Sequence, residues 1–411
     1  MKNRVAPFFQ RIIPLVIVML LVMVSTSWAP MARADSECVT VGTWTSPQTG
    51  KRLAHAALIS TLSTRPVVLL GETHDNPDHH RWQSQIISAL HGRNPNLVLA
   101  FESFPRSVQP ALDRWIRGEM TEKQFLDQSR WFDVWRYDPS LYMPLFHFAR
   151  LNRIPMIAMN IERSLISAVG KDGWQAVPKD QREGLSDPAP PSNAYLDYLA
   201  GVYGRHNESK KTDDKEASDT SPALDDPAFR RFVEAQTVWD RAMAEKLAET
   251  RNAGGNPLVV GIVGWGHLQY GYGIPHQLAA LGIKTPAVLL PWGPEKPCDF
   301  LKDKEGNPAA DGVFGLPPQG KNETKKRATL GVMIARDEKD GIKVNHVIEG
   351  SIAQRAGLKK DDTITVAAGT PVLNPAELVS IIQSQPPGTW LPLTVRRDGS
   401  HLELIAKFPA R

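Results

Sequence analysis

Short apolar runs recur along most of the chain, at Val67–Leu70, Leu97–Phe101, Pro155–Met159, Leu258–Val263 and Ala287–Leu290. They are continuous and do not alternate with polar residues, the pattern of strands buried on both faces of a parallel sheet. Longer amphipathic segments separate them. Asn76 and Pro77 supply an N-cap and a first helical residue, and Trp82, Ile86 and Leu90 then recur on one side of a helix. Residues 53–62 and 228–251 also carry helical spacing. Strand, helix and strand in this repeat predict an α/β fold: a wound, mainly parallel sheet with flanking helices. From Thr329 the period shortens to alternating strands around a helix at Pro375–Gln383, which predicts a second, small β-rich domain.

Two segments break the rhythm. Residues 206–227 hold Lys210-Lys211, Asp213-Asp214 and Asp225-Asp226 with few apolar side chains, too little to bury for an ordered state. Residues 302–327 are rich in Gly, Pro, Asn and Lys and predict a linker. The expected organisation is a leader at 1–34, an α/β domain at 51–298 interrupted at 206–227, the linker, and the β-rich domain at 328–411. A length of 411 residues agrees with more than one core.

The formal net charge is +4, yet Lys2, Arg4, Arg11 and Arg33 all lie in a first segment without acids. The rest of the chain is near neutral, so no nucleic-acid partner is expected. That first segment runs from a charged start through apolar Ile12–Val24 to Ala32-Arg33-Ala34, the order of a signal peptide cleaved after Ala34. The expectation is a periplasmic or otherwise exported protein with peripheral or no membrane association. An uncleaved anchor is the alternative, against which the run falls short of the roughly 20 residues of a membrane span. Asp35, not Cys, follows the small residues, so no lipid anchor is expected. In an oxidising compartment Cys38 and Cys298 can close a very long loop, and a disulfide is expected, with two unpaired thiols as the alternative.

The residues at the end of each apolar run carry the chemistry. The first run ends in Gly71-Glu72-Thr73-His74, the second in Glu102, the third in Asn160-Ile161-Glu162-Arg163 and the fourth in Gly264-Trp265-Gly266-His267. Strand C-termini of an open parallel sheet share one edge, where ligands bind. Imidazoles and carboxylates from distant sequence therefore converge there. Glu72, His74, Glu102 and His267 suit a divalent ion such as zinc or manganese, with Glu162 or Glu102 as a base for metal-dependent hydrolysis. Neither a His-Glu-x-x-His motif nor a serine nucleophile elbow adds to that reading.

Gly71-Glu72-Thr73-His74-Asp75-Asn76, with His79, His80 and Gln83 on the next helix, resembles the opening motif of the ChaN branch of the Tiki superfamily. Glu102, Asn160 and Gly264-Trp265-Gly266-His267 before Gly271-Tyr272-Gly273-Ile274-Pro275 are similar to its later motifs, over roughly Lys51 to Pro291. The resemblance implies haem as ligand, linked to iron uptake; for other branches it implies metal-dependent peptidase or esterase chemistry at the same Glu and His positions. Haem takes an axial His, Cys, Met or Tyr and an apolar slot. Tyr270 and Tyr272 follow His267, and Tyr142 and Tyr137 lie beside Trp131, Phe132 and Trp135. His79 and His80 stay open between solvent and site. A site within one chain and a site shared by a homodimer both fit. Haem binding is favoured over hydrolysis and over a scaffold without catalysis.

The C-terminal domain resembles a bacterial PDZ domain, on Thr329-Leu330-Gly331-Val332, Glu349–Leu358, Asp361–Ile364, Pro387-Gly388-Thr389 and Leu393–Arg397. The resemblance implies a groove that accepts a protein C-terminus or extended peptide as an added strand. Backbone N–H groups at Leu330, Gly331 and Val332 would hold the carboxylate, and Leu378 and Ile382 would line the apolar wall.

Overall fold

The computed structural model describes residues 38–208, 226–318, 328–337 and 341–410. The expected leader, nearly all of the polar insertion and the second part of the expected linker lie outside the described residues. The strands of the large domain are β1 (Trp44–Thr45), β2 (Arg52–Leu53), β3 (Val67–Glu72), β4 (Leu97–Pro105), β5 (Met156–Asn160), β6 (Leu258–Gly264), β7 (Ala287–Trp292) and β8 (Gly312–Gly315). They form one sheet in the order β2-β1-β8-β7-β3-β6-β4-β5. From β8 to β5 every pairing is parallel, and β1 and β2 add an antiparallel edge.

Its helices are α1 (His55–Leu62), α2 (Pro77–His91), α3 (Gln109–Ile116), α4 (Glu122–Gln128), α5 (Trp131–Val134), α6 (Met143–Leu151), α7 (Arg163–Asp172), α8 (Asn193–Glu208), α9 (Pro227–Asn252) and α10 (Ile274–Ala280). Continuous apolar strands bury both faces. Val68, Leu70, Leu99, Phe101, Val260 and Ile262 enter one core with residues of α1, α2, α3 and α6. Their neighbours Val67, Leu69, Ala100, Val259 and Val263 enter a second core with α9 and α10. Asn76 caps α2 by accepting from the Asp78 N–H at 2.9 Å, with Pro77 at the first helical position. Trp82, Ile86 and Leu90 face inward as their spacing requires.

Part of the expected linker belongs to the sheet. Gly312–Gly315 pairs with β7 and β1, because the short run Val313-Phe314 has apolar neighbours on each side. So short a run has no period by which to announce a strand. Cys38 and Cys298 form a disulfide, with Cα atoms 5.6 Å apart, that ties the start of the described chain to the segment after β7. Among the described residues no helix is long and apolar enough to cross a membrane.

The C-terminal domain is antiparallel and β-rich. Strands β9 (Val332–Arg336), β10 (Ile342–Val347), β11 (Thr363–Ala367), β12 (Thr370–Pro371), β13 (Trp390–Arg397) and β14 (Ser400–Lys407) order as β14-β13-β11-β10-β9, with β12 on β11. Helices α11 (Ile352–Arg355) and α12 (Pro375–Gln383) accompany them. Leu378, Ile382 and Leu330 pack into this core, and β9 is the free edge beside α12.

Candidate functional site

The carboxyl ends of β3, β4 and β6 lie side by side, so Glu72, Glu102 and the loop to His267 meet at one edge. Glu72 is buried and fully engaged. It accepts from Tyr142 Oη, faces His74 Nδ1 at 2.8 Å through the same Oε1, and takes Gln83 Nε2 on Oε2 at 2.9 Å. Burial works against its charge, but the His74 hydrogen bond and the charges of His80 and His74 outweigh it, and the pKa is lowered. Burial and the same carboxylate push the Tyr142 hydroxyl well above its ordinary value.

His267 bridges two buried acids. Its Nδ1 lies 2.6 Å from Asp240 Oδ1 and its Nε2 3.5 Å from Glu102 Oε1. Burial opposes its charge, but Glu102 and then Asp240 raise its pKa to about 10. Glu102, despite burial, is held at about 2 by His267, His74 and the Gly264 N–H, which donates to Oε2 at 2.6 Å. Burial raises Asp240 against the pull of His267. Behind Asp240 stands Tyr195, whose hydroxyl donates to Oδ2 at 2.6 Å. Gly264 makes this closeness possible. A Cβ there would lie 2.9 Å from His74 Cε1 and 3.3 Å from Glu102 Oε2.

Asn160 donates to the Glu102 carbonyl at 2.8 Å and accepts from Trp239 Nε1 at 2.7 Å, which locks β5 against β4. Glu162 turns away to Ser107 and Arg130, at 2.6 and 2.7 Å. Arg163 is exposed at the start of α7, with its charge felt at Tyr137. Tyr270 and Tyr272 lie on the Nδ1 side of His267, in a pocket of about 290 Å³ with Tyr198 and Phe300. Tyr270 donates to the Phe300 carbonyl at 3.0 Å, and Tyr272 donates to Asp303.

Three groups join the site that the sequence left open or unnamed. His79 and His80 are both buried: His79 Nδ1 accepts from the Thr73 N–H at 2.8 Å, and His80 Nε2 meets the His74 carbonyl at 3.0 Å. Burial, then the charge of Lys296, lowers His79 to about 3. Asp240 on α9 was unnamed; its signal was an acid at an inward-facing position between Val238 and Met243. Trp135 and Tyr137 flank His74, with ring centroids at 4.6 and 5.3 Å. Tyr137 is 36% exposed, and its hydroxyl has no hydrogen-bond partner among the described residues. Burial and the carboxylates of Asp75, Glu102 and Glu72 raise the Tyr137 pKa.

A parallel sheet with an acid–imidazole edge under aromatic rings defines a ligand-binding α/β protein. The model of the family described as "Haem-binding uptake, Tiki superfamily, ChaN" matches residues 58–278, more than half of the chain, and the protein belongs to that family. A PDZ domain model matches residues 343–397, and the C-terminal domain is a PDZ domain. Among solved structures, one of cofacial haem binding to ChaN of Campylobacter jejuni aligns with a TM-score of 0.51 at 20% identity, over 66% of this chain and 95% of that one. The PDZ domain of HtrA3 bound to a phage-derived ligand aligns at 25% identity and a TM-score of 0.18, over 19% of this chain and 82% of that one. RETICULATA-RELATED 5, a chloroplastic protein of Arabidopsis thaliana, is 22% identical over 255 residues, or 60% of this chain. The match spans about a third of that relative's length.

Proposed function

We propose that this is an exported haem-handling protein, active in haem or iron uptake, whose PDZ domain docks the C-terminus of a partner protein. The family supports haem as the ligand, and the protein with cofacial haem from Campylobacter jejuni shares the fold. The disulfide and the charged and apolar start of the chain support export.

The observation that carries the haem reading is the free Tyr137 hydroxyl beside His74 and Trp135 at the sheet edge. Haem brings a ferric iron with an open axial position and a flat apolar ring. Tyr137 is the residue best placed to reach that iron, with His74 next to it. Trp135 offers an apolar face, and Arg163 a charge for a propionate. Glu72 and His80 hold His74 from behind, so they orient without touching the ligand. The donor set suits a divalent ion less well. Each nitrogen of His267 already faces a buried acid, Asp240 on Nδ1 and Glu102 on Nε2, and Glu72 is already filled by Tyr142, His74 and Gln83.

Hemin titration of metal-free protein, with metal analysis of the purified material, tests the proposal. A stoichiometric Soret shift is expected. Tightly held zinc or manganese with no shift would replace haem binding by hydrolysis.

A further inference from the structure

The PDZ domain rests on the large domain at one end of its groove. Lys123 on α4 donates to Glu377 on α12 at 2.8 Å, and Asn374, the cap of α12, donates to Asp133 on α5 at 2.7 Å. Between the two domains lies a pocket of about 420 Å³, lined by Leu126, Arg130 and Phe132 from one side and Arg336 and Leu373 from the other. The unpaired edge of β9 leads into it. An added strand would run antiparallel to β9, with its carboxylate at Leu330–Val332 and its upstream residues passing Arg336.

Register and charge then specify the occupant. Residues alternate faces along β9, so Arg336 shares a face with Val332 and Ile334, the face toward α12. A residue about four positions before the peptide's end would stand across from Arg336 on that face. The cations of this cleft are otherwise engaged: Lys123 binds Glu377 and Asp127, and Arg130 binds Glu162. Arg336 is exposed and has no partner among the described residues. Asp133 already accepts the Asn374 amide. Beyond Arg336 the surface is apolar, with Leu126 and Phe132 partly buried and Leu373 50% exposed.

We propose that α4 and α5 extend the PDZ groove into a composite site for a protein C-terminus that carries an acidic residue about four positions before its end and an apolar residue just upstream. The proposal rests on the peptide-docking reading of the PDZ domain and adds to it a second contact surface and a charge preference.

Fluorescent peptides ending in a free valine carboxylate, titrated against the full chain, test it. A ten-residue peptide with Glu at the fourth position before the end and Leu two residues further upstream should bind about ten-fold more tightly than its five-residue C-terminal half. Lys in place of Glu should weaken it about five-fold, and Arg336→Glu should reverse that preference. Phe132→Ala should weaken the ten-residue peptide and leave the five-residue peptide unchanged. Equal affinity for both lengths, or a charge preference indifferent to Arg336→Glu, overturns the composite site while leaving the PDZ groove intact. A preference for Lys, directed by Asp133, overturns it too. Absence of binding by every peptide overturns the groove itself and the proposal with it.

Discussion

Replacing His267 by Gln should be among the most damaging single changes in the large domain. The ring is buried between Asp240, at 2.6 Å, and Glu102, at 3.5 Å, and both acids are buried as well. Gln keeps much of the volume and one hydrogen bond but removes the positive charge that the two carboxylates share. Stripping one partner from a buried ion pair costs about 3–5 kcal/mol, a large share of the roughly 5–15 kcal/mol that holds a domain folded. His267 is raised from 6.5 to about 10, so its contribution is complete below pH 6.5 and is lost as pH climbs toward 10. Glu102 is lowered from 4.5 to about 2, so its contribution is complete above pH 4.5 and is lost as pH falls toward 2. The His267–Glu102 pair should therefore stabilise most between about pH 4.5 and 6.5. Urea unfolding followed by tryptophan fluorescence, at pH 6 and pH 9, measures both effects, and ring-nitrogen NMR shifts report the His267 charge. Wild type should be less stable at pH 9, and the variant should lose about 3–5 kcal/mol at pH 6. A loss below about 1 kcal/mol, the size of an exposed ion pair, or a neutral His267 ring at pH 8, would refute the shared-cation arrangement.

Two further outcomes follow from the packing. Gly264→Ala should cost about 1–3 kcal/mol and shift the His74 ring resonances, because the added methyl meets His74 and Glu102; wild-type melting and unchanged His74 signals would contradict the close approach. Cys38→Ser with Cys298→Ser should lower stability by about 5 kcal/mol in the loop-entropy model, given the 260-residue separation, and denaturant unfolding of the oxidised and double-variant proteins measures it.

Most of the sheet was legible because its strands are buried on both faces and so appear as unbroken apolar runs, such as Val67–Leu70 and Leu258–Val263. Their shared carboxyl edge then brought Glu72, His74, Glu102 and His267 within reach of one another on sequence grounds alone. Strand β8 was missed because four residues, two of them Gly, show no period, and only pairing with β7 makes them a strand. Asp240 was missed for a different reason. It lies on a helix whose inward phase is set by tertiary packing, and nothing near it in sequence names His267 as its partner. Tyr270 and Tyr272 follow His267 after Leu268 and Gln269, yet the turn at Tyr270, with φ of 58°, carries both toward Phe300 and Asp303. Sequence proximity could not report that reversal. Trp135 and Tyr137 stand far from Glu72 and His74 in sequence, and a short helix and tight turn deliver them to His74.

The placement of haem against Tyr137 and His74 is tested most directly by the visible spectrum of the hemin-titrated chain in two variants. Tyr137→Phe removes the free hydroxyl at the sheet edge, and Tyr270→Phe with Tyr272→Phe removes both hydroxyls of the other pocket. A changed Soret band and altered charge-transfer bands are expected in Tyr137→Phe, with the double variant superimposing on wild type. A wild-type spectrum in Tyr137→Phe, together with a changed one in the double variant, would contradict it and move the ligand to the far side of His267.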